Sequence, residues 1–117
     1  NLVRYLLSKN FKVLNIDILS YSSQKYNLKD IKKKNYYFQK VDINNQAKIL
    51  KVLMKFKPDG IFNLAADTHV DRSIDNPYPF IKNNILGVYN LLESIRKYKK
   101  KTRLIHISTD EVTFHDN

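Results

Sequence analysis

The stretch "RLIHISTDEVTFHDN", residues 103–117, begins as a short apolar strand and runs directly into Ser108, Thr109, Asp110 and Glu111. Consecutive side chains leaving a strand point in different directions, so an acid and a base there can reach one ligand from separate sides. Ser, Thr and Asp also cap helices, and the spacing alone leaves both interpretations open. The role of this strand end therefore depends on what the fold brings beside it.

The pattern of an apolar strand with a polar end occurs three more times upstream. Strands are predicted at "FKVLNID" (residues 11–17), which we expect to be buried, at "YYFQKVD" (residues 36–42) and at "GIFNLA" (residues 60–65). Polar or small residues close each one: Asp17, Asp42 and the segment 65–68. In an α/β sheet, ligands bind outside the carboxyl ends of the strands, so these ends are predicted to form one site.

Helical segments separate the predicted strands. Apolar residues at helical spacing predict a first helix ending near Asn10, and a long helix begins around Tyr78. Between them, residues 45–56 predict an amphipathic helix whose apolar positions are Ile49, Leu50, Leu53, Met54 and Phe56. A short basic segment at residues 28–34 has weaker helical character. This alternation predicts an α/β fold, a doubly wound parallel sheet covered on both faces.

Bulk composition excludes several classes of protein. The 117 residues allow one modest domain, there is no cysteine, and no apolar run approaches the roughly 20 residues that span a bilayer. The net charge of +10 invites a nucleic-acid partner, but lysines are spread along the chain apart from runs at 32–34 and 99–101. Both runs fall where a helix is predicted to end, which suits cations. We therefore expect neither a nucleic-acid nor a membrane partner.

Asp17 has the position of an acid that accepts hydrogen bonds from a ribose in a dinucleotide-binding unit. Its carboxylate would repel a 2′-phosphate and no Arg lies beside it, which favours NAD over NADP. The alternative is an Asp that only shapes a turn, and for Asp42 a solvated turn residue and an adenine contact both stay open. Ala65 and Ala66 could let a flat cofactor approach the backbone, or could pack under the next helix.

The glycine-rich phosphate loop of such a unit lies about 20 residues before the acid, which falls ahead of Asn1. We therefore expect a Rossmann-like sheet that lacks its first strand and this loop, with residues 1–117 forming part of an NAD-binding domain. In the order 3-2-1-4-5 the first strand is central. The strands near residues 11–17 and 60–65 should then show either a gap between them or a rearranged direct pairing.

Two motifs resemble one known family. "FNLAADTHVDRSIDNPYPFIKNNILGVYNLLESIRKY" (residues 62–98) and "HISTDEV" (residues 106–112) closely resemble the dTDP-glucose 4,6-dehydratases of the extended short-chain dehydrogenase/reductase superfamily. The resemblance implies a lyase that uses NAD to oxidise a nucleotide sugar at C4. The enzyme then eliminates water across C5 and C6 and returns the hydride to C6. It also implies a homodimeric, cytoplasmic parent enzyme of nucleotide-sugar metabolism, with dTDP-glucose as substrate.

The resemblance assigns roles residue by residue. Thr109 would hydrogen-bond the sugar 4-hydroxyl, Asp110 would protonate the departing 6-hydroxyl, and Glu111 would take the C5 proton. Thr68 would also meet the substrate. The positions matching cofactor contacts are Asp17, Ile18, Leu19 and Ser20 at the adenosine ribose, Asp42 and Ile43 at the adenine, and Leu64, Ala65, Ala66, Asp67, Thr68 and Asn83 along the cofactor.

The chain also departs from the family pattern. Thr68 stands where Ser is common, and Asn83 stands where Thr is common. The glycine-rich loop, the Tyr-x-x-x-Lys pair and the sugar-nucleotide domain are absent from these residues, so we expect a fragment that is inactive alone. Two alternatives stay open. One is another nucleotide-sugar dehydratase or a 4-epimerase, and Asp110 and Glu111 argue against the epimerase. The other is a non-catalytic basic fragment.

Overall fold

The computed structural model describes residues 1–19, 31, 34–67 and 76–108. Four strands lie in these ranges: β1 (Val13–Asp17), β2 (Tyr36–Lys40), β3 (Gly60–Asn63) and β4 (Arg103–His106). All four were predicted. β2 and β3 end about two residues earlier than expected. The chain turns at Asp42 after β2, and the ladder between β3 and β4 ends at Asn63.

In the described residues, a helix precedes β1 and helices connect β2 to β3 and β3 to β4, as predicted. They are α1 (Leu2–Ser8), α2 (Gln46–Phe56), α3 (Tyr78–Phe80), a π-helical segment (Ile81–Leu86) and α4 (Gly87–Tyr98), the last three being continuous. The π segment was not predicted. The basic segment expected at residues 28–34 lies almost entirely outside the described residues. The cations at 99–101 do follow the end of α4, where Lys99 adopts a left-handed conformation.

The strands pair in parallel as two separate ribbons. β1 pairs with β2, and β3 pairs with β4, with Asp17 opposite Lys40 and Asn63 opposite His106. Within the described residues, β1 and β3 do not pair with each other. Of the two arrangements expected at this place, a gap or a direct rearranged pairing, the described strands show no direct pairing. Each of these two strands therefore has one edge without a ladder partner among the strands that the structure describes.

The core lies between the helices and the ribbons. Its buried apolar side chains are Val41, Ile49, Val52, Leu53, Leu91 and Tyr98, with Leu14, Ile16, Ile61 and Leu104 of the strands packed against them. Two predictions were wrong. Met54 is 57% exposed and Val52 is buried in its place on α2, and β1 is half-buried rather than buried along its whole length.

α2 and α4 cross at small and polar side chains. Ser94 is fully buried and donates its Oγ hydrogen bond to the Asn90 carbonyl at 2.7 Å, with the Gln46 carbonyl at 3.3 Å. Lys97 Nζ also reaches Gln46 Oε1 at 3.0 Å. Polar bonding at this crossing fixes the start of α2 against the middle of α4.

Gly87 is the position where the helix touches the end of β2. A Cβ atom at Gly87 would lie 2.8 Å from Cγ2 of Ile43, closer than unbonded carbon atoms approach. The branch methyl of Ile43 cannot move away without a χ1 rotation. The absence of a side chain at Gly87 therefore lets the helix approach the Asp42–Asn45 turn closely.

Gly87→Ala is expected to lower the thermal unfolding midpoint of the full-length protein. Overpacking costs about 1–3 kcal/mol, and the better helix propensity of Ala returns about 1 kcal/mol, so the net effect is destabilising. Ile43→Leu removes the Cγ2 methyl at nearly constant volume and should restore the midpoint in the double variant. A Gly87→Ala variant as stable as the parent would contradict this packing.

Glu93 and Arg96 form an ion pair on the outer side of α4. The guanidinium donates to the carboxylate at 2.8 and 2.9 Å, and this hydrogen bond lowers the pKa of Glu93 and raises the pKa of Arg96. The stability that this pair contributes is present above the unfolded pKa of Glu93 and is lost as pH falls through the lowered folded value. Because the pair is exposed to solvent, the effect on stability is small.

Membrane insertion has no support in the described part of the chain. None of the helices there combines the length and the apolar character that a transmembrane span needs.

Candidate functional site

The end of β1 is shaped by Asp17. Its Oδ1 accepts a hydrogen bond from the Leu19 backbone N–H at 2.6 Å, and Leu19 has a positive φ of 55°. The carboxylate therefore holds the chain in a tight turn as it leaves the strand. Ile18, between them, is exposed. The turn role and a ribose-binding role are compatible, because a carboxylate offers several acceptor positions.

The β2-exit turn, residues Asp42–Asn45, lies next to it. Asp42 Oδ1 accepts from the Asn44 N–H at 2.8 Å and from Asn44 Nδ2 at 3.0 Å, and the Asn45 N–H bonds to the Asp42 carbonyl at 2.9 Å. Asn45 Oδ1 then caps α2 by accepting from the Lys48 N–H at 3.0 Å. The Val41 N–H meets the Asp17 carbonyl at 3.3 Å, which keeps the two strand ends adjacent.

The β3-exit segment, residues Leu64–Asp67, is held by two successive asparagines of the π segment. Asn83 Nδ2 donates to Asp67 Oδ2 at 2.5 Å. Asn84 accepts from the Asp67 N–H at 2.8 Å and donates to the Asp67 carbonyl at 2.9 Å. Side chains of consecutive residues in an α-helix diverge by about 100°. The wider π turn lets both reach one residue.

Asn83 also contacts the β2-exit turn. Its Oδ1 accepts from Asn44 Nδ2 at 2.8 Å, and Asn90 Nδ2 donates to the Asn44 carbonyl at 3.2 Å. A single side chain thus joins the segments that follow β2 and β3. These segments belong to different ribbons, so Asn83 links the two halves of the sheet at their carboxyl ends.

A polar pair, in which Asn63 is buried and His106 is exposed, lies at the ends of β3 and β4. Asn63 is only 4% exposed, and its Nδ2 lies 3.1 Å from Nδ1 of His106 on β4, while its Oδ1 accepts from the Ala65 N–H at 3.2 Å. Because the amide donates, His106 Nδ1 accepts, and the neutral ring carries its proton on Nε2. The pair fixes the direction in which the chain leaves β3.

The side chains beyond Asn63 are open to solvent. Leu64, Ala65 and Ala66 are all exposed, so within the part of the chain that the structure describes the small alanines do not pack under a helix. Ile43 is half-buried against the core and touches the position of Gly87. No cluster of His, Cys, Asp or Glu that could hold a metal ion occurs among the described residues.

The structure therefore brings several predicted site residues to one edge. Asp42, Asp67 and Asn83 share one hydrogen-bond network, with Asp17 at the neighbouring strand end. Five predicted residues lie outside the described residues: Ser20, Thr68, Thr109, Asp110 and Glu111. The binding and catalytic roles of all the predicted site residues stay predictions.

Sequence reasoning missed Asn44, Asn84 and Asn90. Two signals could have found Asn84 and Asn44, whereas neither points to Asn90. Asn is a poor residue for a helix interior, so the doublet at residues 83–84 indicates side chains occupied elsewhere. The sequence Asp-x-Asn after β2 is typical of a turn in which the Asp side chain binds the backbone two residues on.

Comparison with known proteins gives this arrangement its context. A family model described as GDP-mannose 4,6 dehydratase matches residues 1–113. The chain belongs to this family. The matched range includes both motifs that resemble dehydratases, residues 62–98 and 106–112.

Two relatives that match most of this chain are named as 4,6-dehydratases. The dTDP-glucose 4,6-dehydratase of Salmonella typhimurium is 45% identical over 109 residues, covering 86% of this chain and 30% of that protein. A probable dTDP-glucose 4,6-dehydratase of Sinorhizobium fredii is 39% identical over 120 residues, covering 95% of this chain and 34% of that protein. The chain spans about a third of the length of these relatives.

Solved structures share the fold. A dTDP-glucose 4,6-dehydratase from Streptomyces venezuelae, with NAD and TYD bound, matches with a TM-score of 0.86 and 29% identity over 98% of this chain and 38% of that one. A UDP-glucose 4-epimerase from Thermotoga maritima, with UDP-glucose, gives 0.77 and 30% over 89% of this chain and 32% of that one. Both neighbours support a Rossmann-like fold that is incomplete here.

Proposed function

We propose that this chain is part of the NAD-binding domain of an NAD-dependent dTDP-glucose 4,6-dehydratase, whose substrate domain lies in other parts of the full-length protein. The observation that carries the proposal is the joining of two strand exits at one sheet edge through Asn83. In doubly wound sheets such an edge, beside the point where strand order reverses, is where a dinucleotide binds. The relatives' names support the substrate.

The residues at this edge fit NAD chemically. Asp17 offers a carboxylate at the end of β1, followed by the exposed Ile18. The exposed Leu64, Ala65 and Ala66 offer apolar surface after β3. Asp42 and Ile43 would lie at the adenine, while Asp67 and Asn83 would hold the segment running beside the cofactor. Ser20 and Thr68 complete the set of binding residues in this proposal.

Bound NAD would supply the hydride acceptor for C4 oxidation and the donor for C6 reduction. Thr109 would hydrogen-bond the 4-hydroxyl of the sugar and orient it. Glu111 would take the proton from C5 while Asp110 gives a proton to the hydroxyl leaving C6, so that water departs across this bond. Acid and base thus act on opposite ends of one elimination.

The reaction can be tested directly on the full-length protein. Incubation with dTDP-glucose should yield a product lighter by one water, with a new 4-keto group. A 4-epimerase, favoured as the second candidate by the similarity to the Thermotoga maritima enzyme, would change the configuration at C4 without loss of mass. If the protein binds RNA in a salt-dependent way and catalyses neither the dehydration nor the epimerisation, the non-catalytic alternative is supported.

A homodimeric, cytoplasmic enzyme is part of the same proposal. Sedimentation of the full-length protein would measure its oligomeric state, and fractionation of cells that express it would locate it.

Asp17→Asn is expected to reduce the preference for NAD over NADP by about tenfold. Asn keeps an oxygen that can accept from the Leu19 N–H, so the turn survives, while the charge that repels a 2′-phosphate is removed. Asp17→Ala removes both and should weaken binding of both cofactors. Dissociation constants from titration of the full-length variants would measure this. Equal affinity of the unaltered protein for NAD and NADP would contradict the role given to Asp17.

A further inference from the structure

Asn83 is the only side chain, among the hydrogen bonds found in the described residues, that bonds to both the β2-exit turn and the β3-exit segment. Asn44, its partner in the turn, lies 39 positions away, and Asp67, its partner after β3, lies 16 positions away. Both partners and Asn83 itself are half-buried. The bonds therefore form where water competes less than at an open surface.

The orientation of the Asn83 amide is determined by its neighbours. The Asp67 carboxylate can only accept, so the NH₂ group of Asn83 must face it. Asn44 has its own NH₂ directed at the Asp42 carboxylate and at Asn83, which requires the Asn83 oxygen on that side. Every donor in this chain of hydrogen bonds meets an acceptor, and reversing the Asn83 amide would break both of its hydrogen bonds.

Each segment also keeps its own local support. The β2-exit turn is closed by Asp42 and by the Asn90 side chain, and the β3-exit segment is held through both backbone groups of Asp67 by Asn84. Losing Asn83 should therefore leave each segment folded. Asn83 instead fixes the position of the two segments relative to each other. The segments belong to different ribbons, and the strands β1 and β3 do not pair in the described residues.

We infer that Asn83 is a positioning residue that sets the spacing between the adenine side of the cofactor crevice and the segment beside the rest of the cofactor. This inference rests on the proposed function. A ligand that touches one segment needs only that segment, whereas NAD spans both. Asn83 should accordingly matter for NAD and be nearly irrelevant for AMP.

The test compares dissociation constants of NAD and AMP in the full-length protein. Asn83→Leu keeps the branched shape and removes both bonds, and should weaken NAD by about tenfold while changing AMP by less than about twofold. The matched control is Thr102→Val, which removes one hydrogen bond, to the Pro58 carbonyl at 3.0 Å, near the opposite end of β3. It should leave both constants unchanged.

Asn83→Asp gives a second, independent readout. The new carboxylate can still accept from Asn44 but faces the Asp67 carboxylate, and a proton shared between two such groups at low pH would restore a donor. NAD affinity of this variant should rise from about pH 7 to about pH 5 relative to that of the unaltered protein.

The outcomes separate the inference from the function on which it rests. If the unaltered protein binds neither NAD nor AMP, the proposed function fails. If it binds both, and Asn83→Leu leaves NAD unchanged or weakens NAD and AMP equally, the positioning role of Asn83 is overturned.

Discussion

Glu111→Gln in the full-length protein is expected to lower formation of the 4-keto-6-deoxy product by about 10²–10⁴-fold, the usual contribution of a general base. Glutamine has nearly the same size but cannot take the C5 proton. In the proposed mechanism oxidation at C4 precedes this step, so reduced cofactor should still appear on the enzyme. Absorbance of bound NADH in a single turnover would follow the oxidation, and mass analysis would follow the loss of water.

The control is Glu93→Gln, which removes a carboxylate on α4 whose hydrogen-bond partner is Arg96. Product formation by this variant should equal that of the unaltered protein. If Glu111→Gln forms product at the normal rate, Glu111 is not the base. If the variant forms neither product nor NADH, the residue acts before elimination, in binding or oxidation.

The 117-residue polypeptide by itself is expected to unfold without a cooperative transition in the range of about 45–65 °C that is typical of mesophilic domains. Six apolar side chains form the buried core in the described residues, and β1 and β3 each expose a strand edge there. Unsatisfied backbone groups cost about 1–3 kcal/mol each when buried, against a net stability of about 5–15 kcal/mol. Circular dichroism during heating would measure the transition.

Open strand edges also predict self-association of this polypeptide. Phe62 and Ile105 lie opposite each other on the exposed face of β3 and β4, so Phe62→Lys should raise the monomer fraction in sedimentation. Met54→Lys changes an apolar residue on α2 that is more exposed than Phe62, at 57% against 40%, and it should have less effect because it does not lie on a strand. A cooperative, monomeric transition of the unaltered polypeptide at a normal temperature would contradict both expectations.

The fold class could be predicted because its signals are local. Period-two and period-3.6 patterns identify the strands and helices, and parallel pairing follows from their alternation. Core assignment on α2 was less accurate. Met54 and Val52 both fit an apolar stripe by spacing, and only the direction from which the neighbouring ribbon approaches decides that Val52 is buried.

The sequence by itself determined the elements, the polar residues at the strand ends and the membership in a dehydratase family. Only the tertiary structure decided that two consecutive asparagines reach Asp67, that Asn83 joins two ribbons, and that Gly87 lies against Ile43. These contacts join residues 16 to 44 positions apart in the chain. Periodicity indicates which face of an element is apolar. Contacts between elements depend on how the helices and ribbons pack, and a local sequence pattern does not contain that information.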